Sequence, residues 1–219
     1  MHREAEKMYK AVIFDLDGTL TNTLDDIADA MNRALRLNGL PEYPVDAYRY
    51  LVGNGARKLA ERAVGARQDM QAQVLSEYQH YYERHTRVKT RPYDGIPALL
   101  AALQARGLRL CVLSNKPHAD TVNVVRFFFP EVDWAVIRGQ QEGVPVKPDP
   151  AGARAILDEL GVKAEECLYL GDTSVDMETA RRAGMFPVGV LWGFREEKEL
   201  LDSGARLLLR EPLALLDVL

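Results

Sequence analysis

The run Lys10-Ala11-Val12-Ile13-Phe14 is apolar without alternation and stops abruptly at the polar turn Asp15-Leu16-Asp17-Gly18. A strand buried on both faces reads this way, and it would deliver Asp15 to the carboxyl edge of a parallel sheet. From Thr23 onward the period changes. Leu24, Ile27, Ala28, Met31 and Leu35 recur at helical spacing, with Thr23 as N-cap and Gly39 as stop. Helical periodicity continues without a convincing strand over 48–51, 56–64 and 69–87, interrupted at Gly53-Asn54-Gly55. After Pro92-Tyr93-Asp94-Gly95 the pattern alternates, with helices at 99–105, 119–128, 151–160 and 175–183 and strands at 108–113, 134–137, 167–170 and 188–191. Alternation of this kind predicts a Rossmann-like α/β core, a parallel sheet with helices on both faces. Residues 1–20 and 91–219 form that core in this reading, and 21–90 form an inserted all-helical cap.

Composition narrows the function classes without naming one. With 219 residues, 47% hydrophobic and 27% charged, the chain has an ordinary globular make-up, which excludes disordered, collagen-like and disulfide-scaffold classes. A net charge of -4 and scattered Lys and Arg argue against nucleic acid as the main ligand. Residues 1–7 alternate in charge and lack a secretory apolar stretch, and no run approaches the ~18 apolar residues of a membrane span. A cytoplasmic location and no membrane partner are therefore expected. Cys111 and Cys167 sit in apolar strand-like runs and read as small buried hydrophobes. His2, His80, His85 and His118 show no ligand spacing, and Phe127-Phe128-Phe129 reads as core at a helix end. Arg87, Lys89 and Arg91 fall at the expected hinge between cap and core.

Three predicted strands end in chemistry-bearing segments: Asp15-Leu16-Asp17-Gly18-Thr19, Ser114-Asn115-Lys116-Pro117 and Gly171-Asp172-Thr173-Ser174-Val175-Asp176. Ligands of open α/β sheets bind just outside the carboxyl ends of the strands, so the three tips should share one crevice. A fourth element, Val146-Lys147-Pro148-Asp149-Pro150, puts a lysine in a stiff loop before a helix. Singly, these segments read as a turn, a helix cap or a solvated loop. Their joint occurrence points to a site. One lysine, Lys147, set against Asp15, Asp17, Asp172 and Asp176 leaves a local charge of -3 before any substrate arrives. Like charges ~4 Å apart repel by about 4 kcal/mol at an effective dielectric near 20, so a divalent cation is needed, and oxygen ligands suit Mg²⁺.

The four elements resemble the motifs of the haloacid dehalogenase superfamily, in its phosphatase branch with a helical cap after the first motif. The resemblance implies that Asp15 is the nucleophile and that Asp17 protonates the leaving oxygen and then activates water. It implies that Ser114, with Asn115, binds phosphoryl oxygens while Lys147 neutralises charge. Mg²⁺ would be held by Asp15, the Asp17 carbonyl and Asp172, with Asp176 orienting the lysine or a metal-bound water. Backbone N–H groups of Leu16, Asp17 and Gly18 would cradle phosphate. Asp17 argues against a dehalogenase, because a halide leaves without a proton.

Within the cap, Leu51-Val52-Gly53-Asn54-Gly55-Ala56-Arg57-Lys58 resembles the substrate-facing loop of phosphoglycolate phosphatases, as do Asp26-Ile27-Ala28, Asn32 and Asn115-Lys116-Pro117. Gly53, Asn54, Gly55 and Arg57 are accordingly expected to bind a small phosphorylated metabolite, with Arg57 or Lys58 meeting a carboxylate. Alternatives are a phosphatase or mutase acting on a sugar phosphate, a pyrophosphatase, and a non-catalytic metal- or phosphate-binding module. The chain departs from the family at Thr21-Asn22-Thr23, where Asn22 stands in place of an acid.

Overall fold

A computed structural model describes residues 9–219; residues 1–8, including His2, lie outside the described residues. The central strand β1 (Ala11–Phe14) is fully buried and pairs in parallel with β4 (Arg109–Pro117) on one side and β6 (Cys167–Gly171) on the other. Strands β5 (Trp134–Gln140), β7 (Phe186–Val190) and β8 (Leu207–Leu209) complete a six-stranded parallel sheet of order β5-β4-β1-β6-β7-β8. The order in which strands are added reverses at β1, and the crevice beside β1 and β6 is where such sheets bind ligands.

Period-2 geometry divides the side chains of β1, β4 and β6 between two cores. Val12, Phe14, Leu110, Val112, Leu168 and Leu170 enter one, beside α5 (Ile96–Ala105) and α6 (His118–Phe128). Ala11, Ile13, Cys111, Leu113, Cys167 and Tyr169 enter the other, beside α7 (Ala151–Leu160) and α8 (Ser174–Ala183). Both cysteines are buried and free.

Between β1 and α5 the chain builds α1 (Leu24–Leu37), the short α2 (Tyr48–Leu51), α3 (Ala56–Ala63) and α4 (Gln71–Tyr82). These helices share a third apolar cluster of their own, joined by Phe194 from the sheet side. The two chain crossings into this region pair as an antiparallel ladder, β2 (Thr21–Asn22) with β3 (Arg91–Pro92). α9 (Glu197–Asp202) packs beside α8 and β7. Among the described residues no helix is long and apolar enough to cross a membrane.

Two local expectations change. Thr23 does not cap α1: its Oγ1 is buried without a partner, and the Leu24 N–H donates instead to Asn22 Oδ1 at 3.3 Å. Asn22 thus does a neutral amide's work where an acid was expected. α4 ends at Tyr82, five residues early, where the N–H groups of Arg84 and His85 turn to the carbonyls of Tyr81 and Tyr82; farther on, the N–H groups of Val88, Lys89 and Thr90 go to Asp26 at 2.8–3.0 Å. Thr90 Oγ1 adds a fourth bond to Asp26 at 2.7 Å, so this α1 carboxylate ties the outgoing and returning segments together at the hinge.

Candidate active site

Asp15 follows the last residue of β1, and its N–H donates to Leu170 O at 2.9 Å, continuing the ladder one step past the strand. The turn after it is anchored by Leu16, fully buried in the core, a burial worth about 1.5–3 kcal/mol. Gly18 closes the turn at φ +89°, and a Cβ there would lie 2.2 Å from Asp172 Oδ2. The glycine is required by the close approach of a carboxylate. Its N–H donates to Thr21 O at 2.9 Å, so it is not part of a phosphate cradle as expected.

Lys147 is buried and bridges two aspartates, with Nζ 2.8 Å from Asp15 Oδ1 and 2.7 Å from Asp176 Oδ1. Burial alone would lower its pKa, but Asp15 and Asp176 outweigh that and hold it well above the ordinary value. Asp176 is used at both ends: Oδ2 accepts from Thr173 N and Oγ1 at 3.1 and 2.7 Å, forming the capping box of α8. The lysine-orienting role expected of Asp176 is therefore joined to a helix cap. Asp172, fully buried, accepts from Thr19 Oγ1 at 3.2 Å and from the Phe194 N–H at 2.8 Å.

Carboxylate atoms of Asp15, Asp172 and Asp176 lie within 4.8 Å of one another. Burial, then repulsion from Asp176 and Asp17 against attraction by Lys147, pushes Asp15 up to about 7 from 3.8. Asp172 is raised well above its ordinary value, by burial and then by Asp176 and Asp15. The cluster sets three carboxylates against one ammonium, and its donors are all hard oxygens, so the residues fit a small divalent cation. Two of the roughly four acceptor positions of the Asp172 carboxylate are occupied, leaving room for a metal bond; Asp176 is committed to Lys147 and Thr173.

Beside this cluster lies a cavity of about 50 Å³ lined by Asp15, Asp17, Ser114, Asn115 and Lys116 from the sheet and by Ile27, Val52, Gly53, Gly55, Ala56, Leu59 and Tyr78 from the helical region. Ser114 Oγ accepts from the Lys116 N–H at 3.2 Å, which leaves its hydroxyl proton to donate. Asn115 differs from expectation. Its Nδ2 donates to Gly53 O at 3.1 Å and to Lys147 O at 3.0 Å, and its Oδ1 accepts from the Lys147 N–H at 2.9 Å. The Asn115 side chain is thus a bracket that joins the lysine loop to the helical region.

Arg57 and Asn54 are corrected as well. α3 buries Ala56, Leu59, Ala60 and Ala63, which turns the adjoining Arg57 and Lys58 to solvent. Lys58 pairs with Glu61 at 2.8 Å, and Asn54 Oδ1 accepts from Arg62 Nη2 at 2.7 Å. Neither Asn54 nor Arg57 lines the cavity, whereas Gly53 and Gly55 do.

Lys116 is the site residue that sequence reasoning passed over. Only 5% exposed, it puts Nζ 3.1 Å from Asp17 Oδ1 and donates to Tyr82 Oη at 2.7 Å from the cap. Burial would lower its pKa, but Asp17 and its other neighbours more than offset this and leave it raised. The local charge is therefore -2, two lysines against four aspartates, instead of -3. A signal was present: Lys116 belongs to the same strand-end segment as Ser114, and the whole segment lines the cavity.

A family model for haloacid dehalogenase-like hydrolases matches residues 9–184. The phosphoglycolate phosphatase of Rhodospirillum rubrum is 36% identical over 199 residues, covering 87% of this chain and 83% of the relative. The N-acetylmuramic acid 6-phosphate phosphatase of Pseudomonas aeruginosa is 34% identical over 214 residues, covering 96% and 94%. Among solved structures, a phosphoglycolate phosphatase candidate from Lactobacillus delbrueckii subsp. bulgaricus superposes with a TM-score of 0.88 at 30% identity, covering 95% of this chain and 97% of that one.

Proposed function

The chain belongs to the haloacid dehalogenase-like hydrolases, and from that premise we propose that it hydrolyses a small phosphate monoester, 2-phosphoglycolate, through a phosphoryl group carried on Asp15. The observation that carries this reading is the buried Asp15 held at 2.8 Å by Lys147, with Asp17 and Ser114 facing the same cavity. Asp15 Oδ attacks phosphorus, the ester bond breaks, and Asp17 gives the leaving oxygen its proton. Asp17 then takes a proton from the water that cleaves the Asp15–phosphorus bond, returning both carboxylates to their starting state. Lys147 and the Ser114 hydroxyl stabilise the phosphoryl oxygens, with the N–H groups of Leu16 and Asp17 in support.

Asp15, the Asp17 carbonyl and Asp172 would hold Mg²⁺, which supplies positive charge to the phosphoryl oxygens when bound. Residues 21–90 act as a cap that closes the site, with Asp26 tying its hinge. The cavity is small in this closed arrangement, about 50 Å³, which supports a small leaving group.

A second reading, a phosphorylated amino-sugar acid, is favoured by the Pseudomonas aeruginosa relative. It requires the cap to stand open during turnover. Released phosphate measured across phosphoglycolate, N-acetylmuramic acid 6-phosphate, hexose phosphates and pyrophosphate with Mg²⁺ tests both. Highest kcat/KM on phosphoglycolate is expected; a preference for the sugar acid transfers the assignment to the second reading.

A further inference from the structure

We propose that Lys116 is the specificity determinant of this site, binding a carboxylate carried by the leaving group one carbon from the ester oxygen. The inference rests on the phosphoglycolate reading and assigns its acid-recognising group, which sequence comparison had put at Arg57 or Lys58.

The placement follows from what surrounds the ammonium. Among the described residues lining the cavity, Lys116 is the one basic side chain; Ile27, Val52, Ala56 and Leu59 offer an anion nothing. A carboxylate entering such a wall would lose water without compensation unless a cation met it. Of the three N–H bonds of Lys116, one goes to Tyr82 Oη at 2.7 Å. Asp17 Oδ1 lies 3.1 Å away and engages at most one more. The ammonium therefore keeps a donor for an incoming oxygen. It also stands against the carboxylate assigned to protonate the leaving oxygen, and in glycolate the acid is one carbon from that oxygen. Lys147, by contrast, is held between Asp15 and Asp176 and serves the phosphoryl side.

The test uses the full chain with Mg²⁺ and two esters of matched size, phosphoglycolate and ethyl phosphate. Wild type should favour the acid. In Lys116→Met and in Lys116→Gln, which keeps a donor for Tyr82, the ratio of the two kcat/KM values should fall by about 30-fold, chiefly through KM for the acid, the range a charge-assisted hydrogen bond gives. Tyr82→Phe, which removes the same hydrogen bond but keeps the charge, should hold the ratio within about threefold. Equal losses on both esters in the Lys116 variants would show that Lys116 acts only through Asp17 and would overturn the proposal. A wild type without preference for the acid overturns the substrate reading itself. Should neither Lys116 variant fold, competitive inhibition of wild-type ethyl phosphate turnover decides. 3-Phosphonopropionate binding about 30-fold tighter than propylphosphonate supports the assignment, and equal binding overturns it.

Discussion

The two ends of the cavity are built on different principles. At the phosphoryl end Asp15, Lys147, Asp172 and Asp176 come from strand tips and one loop, all are buried, and nearly every oxygen is bonded. At the other end four apolar residues, two glycines and Tyr78 from the helical region face Asp17 and Lys116. The first end is charged and built mainly on the sheet, with its lysine loop fastened to the helical region through Asn115. The second exists only when sheet and helices are together, since Lys116 is bonded to Tyr82 and Asn115 to Gly53. On the proposed reading, the phosphoryl chemistry sits on the sheet and selection among esters sits where sheet and helices meet.

The strongest way to break this division is Asp15→Asn, which should lower phosphate release by about 10⁴-fold or more while leaving the circular dichroism spectrum and Tm near wild type. A variant retaining normal turnover would remove the nucleophile from the phosphoryl end. Next in size, Asn115→Ala unfastens the Lys147 loop from the cap and is expected to cost about 10- to 100-fold in kcat on acidic and neutral esters alike. A loss confined to acidic esters would move Asn115 to the selective end.

Metal dependence sharpens the contrast through pH. The Asp15 pKa is raised from 3.8 to about 7, so between these values the native state keeps a proton that the unfolded chain has lost. Stability contributed by that group is present below the lower value and is lost as pH rises through the upper one. Mg²⁺ binds the deprotonated cluster, so the Tm gained on adding it should grow from about pH 4 to pH 7, reaching roughly 5 °C. A gain independent of pH would contradict the cluster's need for charge. Chelation should stop turnover. The smallest effect is expected for Arg57→Ala, within about twofold in KM for phosphoglycolate, since that side chain faces solvent. A large rise in KM would return acid recognition to the cap loop.

Legibility followed the same division. Asp15, Asp172 and the alternation of helices and strands were readable because buried parallel strands are continuous apolar runs whose polar ends stand out. Lys147 was readable as a lysine fixed between prolines, although its partners were not. Lys116 was hidden because its role comes from burial: a lysine after Ser-Asn looks solvated until Tyr82, 34 positions away, covers it. Asp26 was hidden likewise, its four donors lying 62 to 64 positions downstream. Arg57 erred in the opposite direction. A basic residue beside a glycine loop suggested contact with substrate, but helical phase turned it outward once Ala56 and Leu59 faced the cavity.

By itself, then, the sequence determined the sheet, the helical insertion and the carboxylate cluster, because hydrophobic period and strand-end polarity are local properties of the chain. Which lysine pairs with that cluster, which amide is a bracket and which lysine lines the cavity were decided only by tertiary structure. Burial and pairing across dozens of residues set a charge's worth, and no local pattern encodes them.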